Sequence, residues 1–159
     1  MFNTKEVIMP VQKLKDFLNS NAIKYVVMTH STAYTAQEVA ASTHVKGREM
    51  AKTVMVKVDG KMTMAVLPAS YKVDFGLLKK AIGTDNIELA GEKEFKDMFP
   101  DCDPGAMPPF GNLYGMDVYV AQSLADDDEI AFNAGSHTEI IKLAFGDYER
   151  LENIKVLEF

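Results

Sequence analysis

Residues 52–67 read KTVMVKVDGKMTMAVL, two runs rich in valine and methionine on either side of Asp59-Gly60. β-Branched and other apolar residues in short runs favour strands. Asp-Gly is a preferred pair for a type I′ turn, because both positions of that turn need a positive φ. The sequence therefore predicts two antiparallel strands, over 52–58 and 61–67, joined by a two-residue turn.

Outside this hairpin, helix and strand signals follow one another without a strict β-α-β order. Helices are predicted from apolar residues at helical spacing and from capping residues, such as the Thr35–Glu38 capping box, Asp74 and Gly83. The predicted helices cover 10–19, 35–43, 74–82 and 92–99, with a helical turn at 146–151, and the predicted strands cover 24–29, 116–121, 129–133, 139–144 and 154–157. This order predicts an α+β fold with a mixed or mainly antiparallel sheet.

The whole-chain composition limits the classes of protein to consider. A length of 159 residues predicts one domain over 1–159, and 47% hydrophobic with 25% charged residues is typical of a globular protein. The first 18 residues, MFNTKEVIMPVQKLKDFL, lack the apolar run of a signal peptide or membrane span, so a cytoplasmic protein without a membrane partner is expected. The net charge of −6 argues against a broad basic face and against a DNA partner, so any nucleic acid must be met at a local site.

The common signatures of catalytic and metal sites do not occur in this sequence. His30, His44, His137 and the single cysteine, Cys102, lack the spacing of metal ligands, and neither CxxC nor HExxH is found. A glycine-rich phosphate loop and a GxSxG nucleophile motif are also missing. We therefore expect no metal and no cofactor, and we interpret Cys102 as a packing or surface residue.

Lys52 has an unusual position at the start of the first hairpin strand. Side chains alternate along a strand, so Lys52 shares a face with Val54, Val56 and Val58. One interpretation is a lysine whose ammonium group reaches solvent at the strand end. The other is a cation at the rim of a pocket that binds a phosphate or polarises a carbonyl.

Residues 104–112 read PGAMPPFGN and combine stiff prolines with flexible glycines. Such a segment is often an ordinary surface turn. Prolines also reduce the conformational freedom that binding would otherwise have to remove, and a glycine lets a backbone N–H approach a carbonyl oxygen. The same loop therefore fits an oxyanion-binding segment.

A third unusual segment is FNAGSHTEIIKL, residues 132–143, in which small and polar residues interrupt a strand. Glycine within a strand often marks a bulge or a ligand that approaches the backbone closely. A lone histidine such as His137 is more often a hydrogen-bonded structural residue than a catalytic one.

Taken together, these segments resemble the YbaK/ProX family, the free-standing relatives of the editing domain inserted in bacterial prolyl-tRNA synthetases. The resemblance covers nearly the whole chain and rests on HSTAYTAQEVA (30–40), GREMAKTVMVKVDGK (47–61), GAMPP (105–109), FNAGSHTEIIKL (132–143) and DYERL (147–151). It implies a single α+β domain with a curved central mixed, mainly antiparallel sheet surrounded by helices. It also implies hydrolysis of the ester of tRNA charged with the wrong small amino acid, without a metal or cofactor.

The resemblance further implies roles for particular residues. Lys52 matches the family's lysine, which is expected to anchor the terminal adenosine or its phosphate near the ester. Gly105 and Pro109 match the GxxxP loop, whose backbone is expected to hold the aminoacyl carbonyl and position water. The residues expected to bind substrate are His30, Thr53, Met107, Asn133, Gly135 and His137. No residue is assigned as general base, because a hydroxyl or thiol of the substrate is expected to assist the attack.

The function that follows is a trans-editing aminoacyl-tRNA deacylase that acts on the 3′ end of aminoacyl-tRNA, with a synthetase or an elongation factor as a further partner. Two alternatives stay open. One is a non-catalytic binding module with the same fold, which holds a small molecule, a nucleotide or a protein. The other is a hydrolase of small esters or thioesters.

Overall fold

The structure is a computed structural model that describes residues 10–29, 49–100, 102–103 and 105–159. The helix predicted over 35–43, with its capping box, and His30 lie outside these residues. Among the residues that it describes, no helix is long and apolar enough to cross a membrane.

Eight strands and five α-helices make up the described part of the chain. The strands are β1 (Tyr25–Thr29), β2 (Ala51–Val58), β3 (Lys61–Pro68), β4 (Ile87–Leu89), β5 (Asp117–Ala121), β6 (Glu129–Asn133), β7 (Glu139–Ala144) and β8 (Ile154–Leu157). The helices are α1 (Pro10–Ser20), α2 (Phe75–Ile82), α3 (Glu92–Phe95), α4 (Gln122–Ala125) and α5 (Phe145–Leu151), with 3₁₀ turns at Lys96–Met98 and Gly111–Leu113.

The strands form two hydrogen-bonded sheets that meet beside the start of β2. One sheet has the order β1-β7-β6 and the other β4-β2-β3-β5-β8. Only the β3–β5 and β5–β8 pairs are parallel. A parallel bridge between Met50 and Ala131 links the two sheets, supported by the hydrogen bond from the Ala131 N–H to the Glu49 carbonyl oxygen at 3.0 Å. The predicted α+β class and the mixed, mainly antiparallel arrangement are confirmed.

The elements predicted most accurately are those whose ends depend on neighbouring residues in the sequence. Asp59 and Gly60 have φ values of 51° and 81°, as a type I′ turn requires, and residues 51–58 pair with 61–68 in register. Asp74 Oδ1 accepts the Leu77 N–H at 3.0 Å at the start of α2, and Gly83, at a φ of 88°, ends it.

Both faces of β2 are covered, and they contribute to different apolar clusters. Ala51 and Met55 face the main core, whose largest buried members include Phe110, Phe132 and Tyr148. The Val56 face packs beneath α2 in a smaller cluster with Ala65, Leu78 and Ile87. The predicted valine face is therefore buried, but it belongs to the smaller cluster.

Short elements account for the differences from the prediction. The helix predicted over 92–99 ends as an α-helix at Phe95 and continues as a 3₁₀ turn, which stops before Pro100. Strand β4, helix α4 and the 3₁₀ turn Gly111–Leu113 had not been predicted. Each spans only three or four residues, too few for a periodic pattern to emerge.

Candidate active site

The proline–glycine loop and the segment that follows β6 are joined by direct backbone hydrogen bonds. The Asp103 N–H donates to the Gly135 carbonyl oxygen at 2.8 Å, and the Gly135 N–H donates to the Ala106 carbonyl oxygen at 2.9 Å. The His137 N–H donates to Asp103 Oδ2 at 3.2 Å. Two of the three segments singled out in the sequence therefore form one structural unit.

Gly105 lies at the exposed turn of this unit. Its φ of 81° is in the left-handed region, which side chains other than glycine rarely adopt. A Cβ at Gly105 would lie 3.8 Å from His137 Cε1, so the turn faces the histidine ring. No acceptor for the Gly105 N–H is found within the described ranges, which leaves this donor in a position to meet a ligand.

Pro109 lies on the buried side of the same loop. Its carbonyl oxygen accepts a hydrogen bond of 2.7 Å from the hydroxyl of Tyr148. Proline carries no N–H, and this carbonyl already has a partner in the protein. We therefore infer that Pro109 affects the site through its restricted backbone, which fixes the direction of the loop.

Lys52 lies half-buried at the start of β2, on the face that it shares with the valines. Burial lowers the pKa of its ammonium group, and repulsion by the nearby Lys72 lowers it further. In the described part of the chain, no carboxylate lies within ion-pairing distance of its Nζ. Partly desolvated charges without a partner are typical of binding sites, since the fold alone gains nothing from them.

Asn133 connects the Lys52 end of β2 to the loop. The parallel bridge pairs Met50 with Ala131, and Lys52 and Asn133 each follow two residues later, so they extend from corresponding points of the neighbouring strands. Asn133 is 6% exposed, and its Oδ1 has no hydrogen-bond partner among the described residues. A buried amide oxygen in this condition is a candidate acceptor for a ligand.

The other residues predicted to bind substrate have different surroundings. Thr53 is half-buried and points to the face opposite Lys52. Met107 is buried in the main core and lines a small pocket with Phe95, Phe99 and Cys102. The described lining of this pocket includes neither Lys52 nor Gly105.

Gly135 and His137 support the loop. The N–H and the carbonyl of Gly135 are both occupied by loop residues, and His137 is 8% exposed with its N–H bonded to Asp103. Direct substrate contacts by Thr53, Met107, Gly135 and His137 stay predictions, as does the contact by His30.

Sequence reasoning missed two residues that hold the loop, Tyr148 and Glu152. Both are buried, and they lie four positions apart at the end of α5, which places them on one side of the helix. Glu152 Oε1 accepts the Asn112 N–H at 3.0 Å. Burial raises the pKa of the Glu152 carboxyl to about 7, against the lowering effect of the backbone N–H groups of Asn112 and Gly111. The four-residue spacing was the only sign in the sequence. It predicts that the two side chains lie on one side of the helix, but it does not predict what they contact.

Within the described ranges, no group of three or more histidine, cysteine, aspartate or glutamate residues could hold a metal ion. The chemistry that can be assigned to this region comes from backbone donors, one ammonium group and one amide.

Residues 30–151 match a family described as the aminoacyl-tRNA editing domain. A multifunctional Ser/Thr-tRNA deacylase, ProXp-y, from Escherichia coli (strain K12) is 29% identical over 154 residues, which cover 93% of this chain and 91% of that protein. A proline–tRNA ligase from Staphylococcus saprophyticus is 34% identical over 76 residues, which are 48% of this chain and 13% of the ligase.

A likeness in three dimensions extends over the same length. The solved structure of a candidate trans-editing enzyme for prolyl tRNA synthetase has a TM-score of 0.79, at 16% identity, over 94% of this chain and 95% of its own. Since the identity is low, this likeness establishes the shared fold.

Proposed function

The chain belongs to the aminoacyl-tRNA editing domain family, and on this premise we propose that it is a trans-editing deacylase, which hydrolyses the ester of tRNA mischarged with a small amino acid. The family membership confirms the resemblance found in the sequence. The observation that carries the assignment to this region is Lys52, a half-buried ammonium group that has no carboxylate partner among the described residues.

Hydrolysis of an aminoacyl ester needs few catalytic groups. An aminoacyl ester is already activated, so a site has to hold the carbonyl, stabilise the oxyanion that develops and admit water. In our proposal the Gly105 N–H donates to the carbonyl oxygen of the ester. Negative charge develops on that oxygen in the transition state and strengthens the hydrogen bond. Neither a metal nor a catalytic triad is needed for this step.

Lys52 has the binding role in this scheme. Its ammonium group would pair with the phosphate of the 3′-terminal nucleotide, which is an anion, or donate a hydrogen bond to the neutral adenosine. A bound anion would offset the two effects that lower the pKa of Lys52, its burial and the repulsion by Lys72. Asn133 Oδ1, buried beside the same strand end, would accept a hydrogen bond from the ribose or the amino acid.

A substrate hydroxyl or thiol assists the attacking water, so no side chain of this chain is assigned as general base. Discrimination against the cognate amino acid would come from the size of the pocket, because a synthetic site separates similar side chains by only about 1–3 kcal/mol per methylene. The further partners in this proposal are a synthetase or an elongation factor that delivers the charged tRNA, and the place of action is the cytoplasm.

The proposal is tested by release of amino acid from a panel of tRNAs charged with Ala, Cys, Ser, Thr or Pro, with aminoacyl-adenosine as a minimal substrate. Release well above the spontaneous rate from at least one mischarged tRNA supports the proposal. Binding of charged tRNA without release would favour the binding-module alternative, and efficient hydrolysis of small esters that uncharged tRNA does not compete for would favour the small-ester hydrolase.

A further inference from the structure

The C-terminal half of the proline–glycine loop is held by side chains from the end of α5. The Tyr148 hydroxyl donates to the Pro109 carbonyl oxygen at 2.7 Å, and Glu152 Oε1 accepts the Asn112 N–H at 3.0 Å. The Asn112 side chain completes the contact by donating to the Leu151 carbonyl oxygen at 3.3 Å. Three hydrogen bonds therefore tie two loop residues, Pro109 and Asn112, to one helix end.

Glu152 is an unusual choice for a purely structural contact. It is 3% exposed, and its Oε2 has no hydrogen-bond partner in the part of the chain that the structure describes. A buried carboxyl group with one unsatisfied oxygen destabilises the folded state, and an apolar residue of similar size would avoid that penalty. The benefit of retaining it lies in the contact with the backbone N–H groups of the 3₁₀ turn.

The backbone at Gly111 packs closely against the start of β5. A Cβ at Gly111 would lie 2.2 Å from the Met116 carbonyl oxygen and 2.5 Å from Val118 Cγ2, so the turn lies directly against the following strand. The Tyr148 ring is likewise fixed, by edge-on contacts with Phe110 and Phe145 at centroid distances of 5.2 and 5.8 Å. Its hydroxyl is therefore held at a defined point.

The loop is thus fixed from both sides of its central residues. Gly135 bonds to the Ala106 carbonyl on one side, and Tyr148 bonds to the Pro109 carbonyl on the other. Gly105 is flanked by Asp103 and Ala106, which both bond to Gly135. Only Met107 and Pro108 separate Ala106 from the residue that Tyr148 holds, so the Tyr148 contact limits how far the chain after Gly105 can move.

We propose that Tyr148 and Glu152 are positioning residues for ester hydrolysis, which fix the loop so that the Gly105 N–H is aimed at the ester carbonyl before substrate binds. This inference rests on the proposed deacylase function. Neither side chain touches the substrate, and their effect on the rate passes through the backbone of Pro109, Gly111 and Asn112.

The first test is Tyr148→Phe, which removes one hydroxyl and keeps the ring in its packing. We expect kcat for a mischarged tRNA to fall about tenfold, the effect of one lost hydrogen bond on the aim of the donor, with KM changed less than about twofold. The matched control is Tyr119→Phe, which removes the same hydroxyl from a half-buried tyrosine on β5, away from the loop.

Glu152→Gln provides a second, independent variant that keeps an acceptor oxygen but cannot ionise. Among the described residues, the groups that act on Glu152 are the backbone N–H groups of Gly111 and Asn112 and the phenol of Tyr148. Since burial raises the pKa of the Tyr148 phenol well above its usual range, the Glu152 carboxyl is the group of this set that titrates near neutral pH. We expect the ratio of wild-type to Glu152→Gln kcat to rise from pH 6 to pH 8, as the wild-type carboxylate becomes the stronger acceptor. Glu149→Gln, exposed on the same helix, should show a constant ratio.

The outcomes separate this inference from the function on which it rests. A wild-type protein that releases no amino acid overturns both. An active wild type with unchanged kcat in Tyr148→Phe and Glu152→Gln, and only lower thermal midpoints, overturns the positioning role alone. If Tyr148→Phe unfolds below the assay temperature, the pH ratio for Glu152→Gln decides the question.

Discussion

Strand β2 has a lysine near each end, and the surroundings shift the pKa values of the two lysines in opposite directions. At the far end, Lys57 Nζ lies 2.6 Å from Glu94 Oε1 and 3.0 Å from Glu88 Oε1, and the hydrogen bonds to Glu94 and then Glu88 raise its pKa. At the start of the strand, burial and the nearby Lys72 lower the pKa of Lys52.

We interpret this difference as one between a charge that stabilises the fold and a charge that binds a ligand. Glu88 lies on β4 and Glu94 on α3, so their ion pairs with Lys57 join these two elements to β2. The charge of Lys57 is therefore neutralised within the folded protein. Among the described residues, Lys52 has no carboxylate partner, and the buried Oδ1 of Asn133 on the neighbouring strand has no hydrogen-bond partner. We infer that the Lys52 end is completed by a ligand.

Among substitutions in the loop, the largest effect is expected from Gly105→Val, which tests whether the loop acts together with Lys52. The substitution places a β-branched side chain at a φ of 81° and next to the His137 ring, so it both strains the turn and blocks the ester. We expect deacylation to fall about 100-fold, the effect of losing one oxyanion donor.

The control for this change is Gly146→Val on α5, where an added Cβ meets nothing within 4 Å. Its activity should stay near the wild-type value. Wild-type activity of Gly105→Val on every charged tRNA would make the loop an ordinary surface turn.

Glu152 extends the comparison to a second desolvated charge. Its pKa is about 7 in the folded protein and near 4.5 when unfolded, so the folded state favours the protonated form. Its contribution to stability is fully present below about pH 4.5 and is lost as the pH rises through about 7. Denaturant titrations should show that the free energy of unfolding of wild type, relative to Glu152→Gln, falls by about 1–3 kcal/mol between pH 5 and pH 8. A constant difference would show that the carboxyl is ionised throughout.

Pro109→Ala should have a smaller effect on the rate. The substitution keeps the carbonyl that Tyr148 binds but loosens the chain, which restores an ordering penalty of up to about 1 kcal/mol, or a several-fold loss in kcat. Pro68→Ala, at the end of β3, serves as the matched proline control. A loss as large as that of Gly105→Val would mean that Pro109 contacts the substrate directly.

Lys57→Met should have the smallest effect on activity and sharpens the contrast with Lys52. Removing the ammonium group leaves Glu88 and Glu94 without their shared cation, so the thermal midpoint should fall slightly, and less so in high salt, where the ion pairs of the wild type are screened. Thermal melts at low and high ionic strength measure this. An unchanged midpoint at low salt would show that these ion pairs contribute nothing to the fold.

Local chemistry explains how much of this fold could be predicted. The Asp59-Gly60 turn and the caps of α2 at Asp74 and Gly83 depend on neighbouring residues alone, and they were predicted correctly. The period of two also placed Lys52 on the valine face. It could not show which apolar cluster that face joins, because both faces of β2 are apolar and the partners come from distant segments.

The conformation of the candidate site could be predicted from the sequence where it depends on local residues, and not where it depends on long-range contacts. Gly105 was identified from the composition of the loop, and its positive φ confirms the need for glycine. Tyr148 lies 39 residues from Pro109, and glutamates such as Glu152 are by default exposed, so no local pattern pointed to their contacts with the loop.

The central claim is that Lys52, which has no carboxylate partner among the described residues, is the functional lysine of β2. Single-turnover release of amino acid from a mischarged tRNA, compared for wild type, Lys52→Ala and Lys57→Ala, tests it most directly, with circular dichroism to show that all three are folded. We expect Lys52→Ala to retain at most about 1% of the wild-type rate and Lys57→Ala to stay within about twofold of it. Equal rates for wild type and Lys52→Ala would contradict the account.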